Sequence, residues 1–429
     1  MKEDRKLNKN NQGLYQWIVL TSFCLNSISN IFMFTGLSPI WSQVAIYYGT
    51  TDYDLNWFPN MYYITLMSFS FLFNPIIIKF FGISQLLSCC LTSLGLWLLF
   101  YVKQNFQLGL LSFGLIGLGE AFYFQVPLHL SKLWFTHDQR IISTFIAQYS
   151  NNIGMLLGYT ISSLYFNEIV LILQQEKVDE NEFNKRFENL IFFNAILATI
   201  ALGFNFTTLK SPLLQYDIME FRLTIWESLQ KIVMAEEAIF DFLSISSFIG
   251  LSWCYTMLFG TQQYYLGQTY IQVTQTNIYF QVGQIVAASY CTWKLQKQSK
   301  AGIQQNYDNY IKTVISLGFW MLVFEIILFE HTPFIILVFI NFFIGAGLGG
   351  LYSVLLESLM EKHFPVQELA IGSIFAAVAC TVSITITMTL VIPKFLQYGF
   401  QISCYLMIIP FCYIAIFYKT QFKRFEAEA

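Results

Sequence analysis

Charge is scarce in this chain. Asp, Glu, Lys and Arg make up 11% of its 429 residues, against roughly 25% in an ordinary globular protein. A water-facing surface cannot be built from so few charges, which excludes two or three soluble domains. Histidine is rarer still, and His129, His137, His331 and His363 form no H-E-x-x-H pair. None of the eight cysteines stands in a C-x-x-C pair, and almost all fall in apolar runs. They read as small packing residues rather than a zinc or redox framework. A Walker loop and a G-x-S-x-G elbow are also missing. The glycine-rich run from Gly345 to Gly350 superficially resembles a nucleotide-binding fingerprint, but no strand precedes it. It reads instead as a close helix approach or a flexible point. No enzyme chemistry, cofactor or metal is expected. The net charge of −3 gives no sign of a nucleic-acid partner.

Apolar residues are what the chain has in excess, at 55%, with 44 phenylalanines. A membrane-crossing helix needs about 20 mostly apolar residues. Twelve stretches qualify: 16–40, 55–79, 83–102, 106–129, 141–166, 189–209, 239–264, 270–293, 311–329, 333–356, 369–392 and 400–418. Runs of this length hide their backbone polarity only as helices, and the alternating ten-residue segments of a β-barrel are absent. The fold class is therefore an all-α membrane protein of twelve transmembrane helices. Residues 1–15 read as a cytosolic polar tail. The first span is too long and too polar (Asn26, Ser27, Ser29, Asn30) for a cleavable signal.

Of the 23 Lys and Arg residues, 18 fall on the side of the bundle that holds both termini. The other side has Lys103, Lys177, Lys185, Arg186 and Lys394. The positive-inside rule places both termini in the cytosol and the segment 167–188 outside as the main exposed loop. The longest cytosolic connection, 210–238, contains Phe221, Leu223, Ile225, Trp226, Leu229, Ile232 and Val233 in a mixed pattern that suits a helix lying on the membrane surface. It divides the chain into an N-terminal six-helix half, 16–209, and a C-terminal half, 239–418, with a cytosolic tail at 419–429. A shift of 230 residues lays Gly117-Leu118-Gly119 on Gly347-Leu348-Gly349, Phe122 on Tyr352, Lys132 on Lys362 and Ser143 on Ser373. No gap is needed, and the match runs through a loop, which favours duplication. Two parallel six-helix halves are the architecture of the major facilitator fold, whose solute site lies between them.

Two blocks carry a closer resemblance. The first contains Asn56-Trp57, Gly82, Gly95-Leu96-Trp97, Gly119, Pro127, Trp134-Phe135, Asn151, Gly154 and Gly158. The second contains Glu357, Glu361, Phe364-Pro365 and Glu368. These resemble the N-W, P-x6-W-F, N-x-x-G and E-x-x-x-E-x-x-Y-P-x-x-E patterns of the feline leukaemia virus subgroup C receptor-related transporters, a choline and haem transporter branch of the superfamily. The superfamily's G-x-x-x-D-R-x-G-R loop between spans two and three is lost; the stretch from Pro75 to Gly82 has neither the acid nor the arginines.

Ionisable groups inside spans cost at least about 2.5–3.5 kcal/mol to insert and mark function by default. Glu120 lies deepest, in the middle of span four, where the resemblance implies a cavity wall and a Gln in the relatives. It reads as a counter-ion for a cationic solute, as a proton carrier, or as a structural buttress. Asp241 and Glu325 lie nearer span ends and read as snorkelling or locally paired. The amides Asn30, Asn151, Asn152, Gln262, Gln263, Gln281, Gln284 and Asn341 must face protein or water rather than lipid. Asn152, Gln262 and Gln284 are the cavity-lining candidates among them. In the choline-carrying relatives a Trp on span one and a Tyr on span seven cage the ammonium, with Gln on spans five and eleven. The resemblance places these at Phe34, Tyr255, Asn152 and Cys380.

The expected function is transport of a small organic solute by alternating access, with a cationic, choline-like amine first. Haem transport is the alternative within the family, although no His or Cys pair stands at mid-span to ligate its iron. A non-transporting receptor or sensor is the alternative outside it. The expected partners are the solute and the lipid bilayer, and the chain is expected to act as a monomer.

Overall fold

The structure, a computed structural model, describes residues 2–173, 180–206, 224–265, 270–300, 307–328, 333–390 and 399–421. It is helical throughout, with no strand among the described residues. Helix α1 (Lys2–Gly36) leads through a 3-10 turn (Ser38–Ile40) into the short α2 (Trp41–Tyr47) and α3 (Asp52–Leu55). Then come α4 (Trp57–Lys79), α5 (Phe81–Val102), α6 (Phe106–Ala121), α7 (Pro127–Trp134), α8 (His137–Leu173) and α9 (Glu180–Phe206). The second part contains α10 (Ile225–Met234), α11 (Glu236–Tyr265), α12 (Tyr270–Lys300) and α13 (Tyr307–Leu328). It ends with α14 (Phe334–Leu348), α15 (Tyr352–Lys362), α16 (Glu368–Leu390), α17 (Gly399–Cys412) and a π-helical turn (Tyr413–Phe417).

Three departures from the span limits have physical reasons. The polar tail continues α1 back to Lys2, because Lys, Glu, Arg, Leu and Gln are good helix formers that need no apolar face. Much of the segment 167–188 is helix, since α8 runs on to Leu173 and α9 starts at Glu180. An Arg186–Glu182 pair one turn apart on α9, at 2.6 Å, adds local support of the kind charged helix faces use. Span four is broken into α6 and α7, and span ten into α14 and α15. Under the 230-residue shift the first break, 122–126, falls on 352–356, directly after the second, 349–351.

Tyr15, near one end of the described chain, packs on Trp134 of α7 at 5.6 Å. Tyr418, near the other, shares a 2.7 Å hydrogen bond with Ser358 of α15. Tyr15 and Tyr418 therefore sit at one end of the bundle, here the terminal end; α2 and α3 lie at the far end. The amphipathic segment forms α10, closed by a capping box in which Thr224 and Glu227 exchange hydrogen bonds. The Thr224 N–H holds the Glu227 carboxyl below its ordinary pKa. Trp226 and Met234 of α10 are exposed while Ile232 is buried, the pattern of a surface helix.

The apolar core falls into clusters that follow the chain. One draws on residues 232–418, with Leu128 as the one buried member from earlier in the chain. The other two draw on residues 19–198, joined by Cys380 and Leu369. Those three residues mark where the two sets of helices meet, chiefly through α8 against α12 and α4 against α16.

Candidate functional site

Eight described helical segments are long and apolar enough to cross a membrane by length and hydropathy, and α8 and α12 are not among them. Their polar residues explain why. On α8, Gln148, Asn151, Asn152, Met155 and Tyr159 recur at i, i+3, i+4, i+7 and i+11, one face of a helix. On α12, Thr274, Asn277, Gln281 and Gln284 do the same. Both faces line a cavity of about 840 Å³ between the two sets of helices. The least apolar spans are thus the ones that look at water rather than lipid.

The cavity opens at the far end, where Ser42, Asp52 and Tyr53 line it and are exposed. It is closed toward the terminal end. There the Tyr149 hydroxyl donates to the Gly349 carbonyl at 2.9 Å. Ser373 Oγ donates to Gln125 Oε1 at 2.6 Å and accepts from Asn74 Nδ2 at 2.8 Å. Lys132 Nζ stands 3.6 Å from Glu368 Oε1.

Glu120 occupies the last turn of α6, where its carbonyl accepts from the N–H groups of Tyr123 (2.7 Å) and Phe124 (2.9 Å) as the helix breaks. Its side chain lines the cavity and is 3% exposed. Oε1 accepts from Asn151 Nδ2 at 3.2 Å. Oε2 is buried with no hydrogen-bond partner among the described residues. Asp52 is the other acid on the lining, and no Lys, Arg or His appears there among the described residues.

Phe34 is on the lining too, against Tyr62 at 5.0 Å and Tyr63 at 5.4 Å. Asn152 donates across the interface to Gln284 Oε1, and both face the cavity. The side chain of Gln262 lies outside the described residues. Tyr255 is fully buried, is not on the lining, and turns its hydroxyl to Glu325 (2.5 Å) and Asn341 (3.0 Å) inside the C-terminal helices. Trp253 takes the place on the wall, stacked on Tyr63 at 6.2 Å. Two residues apart on a helix is about 200° of rotation, so one of the pair faces the cavity and the other cannot. Cys380 is likewise buried off the lining.

The other buried acids do not snorkel. Asp241 pairs with Lys362 (2.8 Å) and His363 (2.9 Å) and accepts from the Tyr413 hydroxyl at 2.9 Å. Glu325 is 0% exposed. Asn30 of α1 ties four helices together, donating to Thr92 Oγ1 of α5 and the Ile116 carbonyl of α6 and accepting from the Tyr62 hydroxyl of α4.

A twelve-helix membrane bundle around a central, one-sided cavity is the architecture of a membrane transporter and not of an enzyme. Residues 23–388 match the family model described as Major Facilitator Superfamily, and the chain belongs to that family. Comparison with curated proteins found no match. Solved structures similar to it include the E. coli fucose:proton symporter FucP, in a variant form, at 12% identity and a TM-score of 0.65, covering 94% of this chain and 98% of that one. FucP in the outward conformation is equally similar, with the same identity and TM-score over 95% and 100%. The human organic anion transporter MFSD10 (TETRAN) aligns at 12% identity and a TM-score of 0.56 over 93% and 99%. At these identities the likeness is one of fold.

Proposed function

We propose that the chain carries a small organic cation through the central cavity by alternating access, with Glu120 as the counter-ion. The observation that carries this reading is the buried, unpartnered Oε2 of Glu120 in a cavity whose described lining has no basic residue. A carboxyl group so placed is favoured as a carboxylate only when a donor or a cation meets Oε2. Phe34, Tyr62, Tyr63 and Trp253 line the same cavity, and an aromatic face attracts a cation by roughly 0.5–2 kcal/mol. This is the amine-carrying side of the receptor-related transporter resemblance, built with Trp253 rather than Tyr255. Haem fits less well: no His is on the described lining, and an acid repels propionates. The excess of Lys and Arg at the terminal end supports cytosolic termini, so that the cavity opens outward. The two six-helix sets act as the rocking halves.

The test is uptake into proteoliposomes of choline and tetramethylammonium against fucose and a monocarboxylate. Cation uptake is expected in the wild type. Glu120→Gln should raise KM for the cation by roughly ten- to a hundredfold, the equivalent of about 1.5–3 kcal/mol for a lost charged partner. Equal uptake of the anion, or an unchanged KM in Glu120→Gln, would contradict the reading.

A further inference from the structure

A second buried acid has geometry that fixes its protonation. Glu325 of α13 lies outside the cavity lining and is 0% exposed. Its Oε2 is 2.5 Å from the Tyr255 hydroxyl of α11, and its Oε1 is 3.0 Å from Asn341 Nδ2 of α14. The Tyr255 hydroxyl is also 3.0 Å from Asn341 Oδ1, and Asn341 Nδ2 is also 3.0 Å from the Leu337 carbonyl. Three side chains from three helices thus close a ring.

The hydrogens of that ring can be counted. The Tyr255 hydroxyl has one hydrogen but meets two oxygens, Glu325 Oε2 and Asn341 Oδ1. An amide oxygen carries no hydrogen, and an ionised carboxylate carries none. With Glu325 ionised, one of the two contacts would be oxygen against oxygen with nothing between. Turning the Asn341 amide over moves the conflict without removing it. Oδ1 then faces Glu325 Oε1 and the Leu337 carbonyl, so Glu325 must again supply a hydrogen. One added proton resolves the ring. Glu325 donates to the Tyr255 oxygen, Tyr255 donates to Asn341 Oδ1, and Asn341 Nδ2 donates to Glu325 Oε1 and Leu337.

We propose that Glu325 is a proton-binding site, held as a neutral carboxylic acid by Tyr255 and Asn341 and separate from the solute cavity. The polar groups that face Glu325 from the packed helices are Tyr255 and Asn341, with Cys404 of α17 also within electrostatic reach. No cation pairs with it among the described residues. An ionised carboxylate buried in this way would be far costlier than the acid. The site is one side chain from the cavity, because the Tyr255 ring stacks at 5.0 Å on Phe280, which lines the wall. The proposal stands apart from the cation reading, which rests on Glu120.

Infrared spectra of the purified chain in lipid at neutral pH test it without any solute. A carbonyl stretch of a protonated carboxylic acid is expected in the wild type. The component is lost in Glu325→Gln, whose amide can donate to Tyr255 and keep the ring. The same component survives in Glu120→Gln. Should Glu325→Gln not fold, Asn341→Leu serves instead, shifting the band to higher frequency because the Glu325 carbonyl loses its donor. A carboxylic-acid region unchanged by Glu325→Gln, or unmoved by Asn341→Leu, overturns the proposal.

Discussion

Lys132 of α7 and Glu368 at the start of α16 form an ion pair at 3.6 Å between the two sets of helices, with side chains 15% and 6% exposed. It lies on the same closed end as the Gln125–Ser373 and Asn74–Ser373 hydrogen bonds. Residues that interlock there come from both sides: Leu128 belongs to the C-terminal core cluster and Leu369 to an N-terminal one. The closed end is thus held by charge and polar contacts over an interdigitated apolar layer.

Removing half of that ion pair should loosen the closed end. An exposed pair is worth about 0–1 kcal/mol, while breaking a fully buried one costs about 3–5 kcal/mol. This pair falls between, and Lys132→Met keeps the apolar stem in place. The expected loss of preference for the closed form is about 1–3 kcal/mol, or roughly 5- to 150-fold in the conformational ratio. A cysteine at Leu369, 2% exposed here, reports it. Its labelling from the terminal side by a membrane-impermeant thiol reagent should rise by that order in Lys132→Met. Equal labelling rates in the two backgrounds would show that the apolar layer alone closes this end.

The aromatic wall gives a second expectation, divided by where each ring points. Phe34→Ala, Tyr63→Ala and Trp253→Ala should each weaken binding of an organic cation by about 0.5–2 kcal/mol. Tyr255→Phe should leave cation binding as it is and lower stability by about 1–3 kcal/mol, since it strips a buried hydroxyl from Glu325 and Asn341. Thermal unfolding with and without choline separates the two effects, because a ligand at 100-fold its Kd adds about 2.7 kcal/mol. A Tyr255→Phe protein that folds normally but loses the choline shift would put Tyr255 back on the cavity wall.

That contrast also shows what sequence reading reaches. The spans, the break between the two sets of helices and the amide-bearing faces of α8 and α12 are legible, because apolar length and the 3.6-residue period are written locally. Glu120 is legible as the acid that lies deepest in a span. The choice between Trp253 and Tyr255 is not, because both are aromatic and the polar residues of α11 mark no single face. Only the neighbours of α11, namely α16 and α17, set its rotation. Nor is the Glu325 ring legible, since Glu325, Tyr255 and Asn341 are 70 and 86 residues from one another through Tyr255 and come together only by packing. The resemblance to relatives carried Tyr255 onto the wall by matching residue type, which says nothing of where a side chain points.

Glycines of α8 provide the last expectation. Gly154 and Gly158 are four residues apart, so they share one face, and that face lies against α1. A Cβ at Gly154 would stand 2.8 Å from the Ile28 carbonyl oxygen and 3.0 Å from its Cα, and one at Gly158 would stand 2.6 Å from the Phe32 carbonyl oxygen. These neighbours are backbone and cannot swing aside, so α1 itself would have to move. Gly154→Val should therefore destabilise by about 1–3 kcal/mol through overpacking. Gly203 of α9 is the control: nothing lies within 4 Å of its Cβ position. There Gly203→Ala should stabilise by roughly 0.5–1 kcal/mol, the helix-interior cost of glycine. The two variants separate a packing role from simple helix propensity, which would make both changes favourable. Thermal unfolding measures the sign directly. Asn151 and Asn152 lie within one turn of Gly154, so a shifted α8 would also disturb the Glu120–Asn151 and Asn152–Gln284 hydrogen bonds. Gly154→Val should thus lose cation uptake along with stability, while Gly203→Ala keeps it. A Gly154→Val protein as stable as the wild type would mean that α1 and α8 are not held in this close approach.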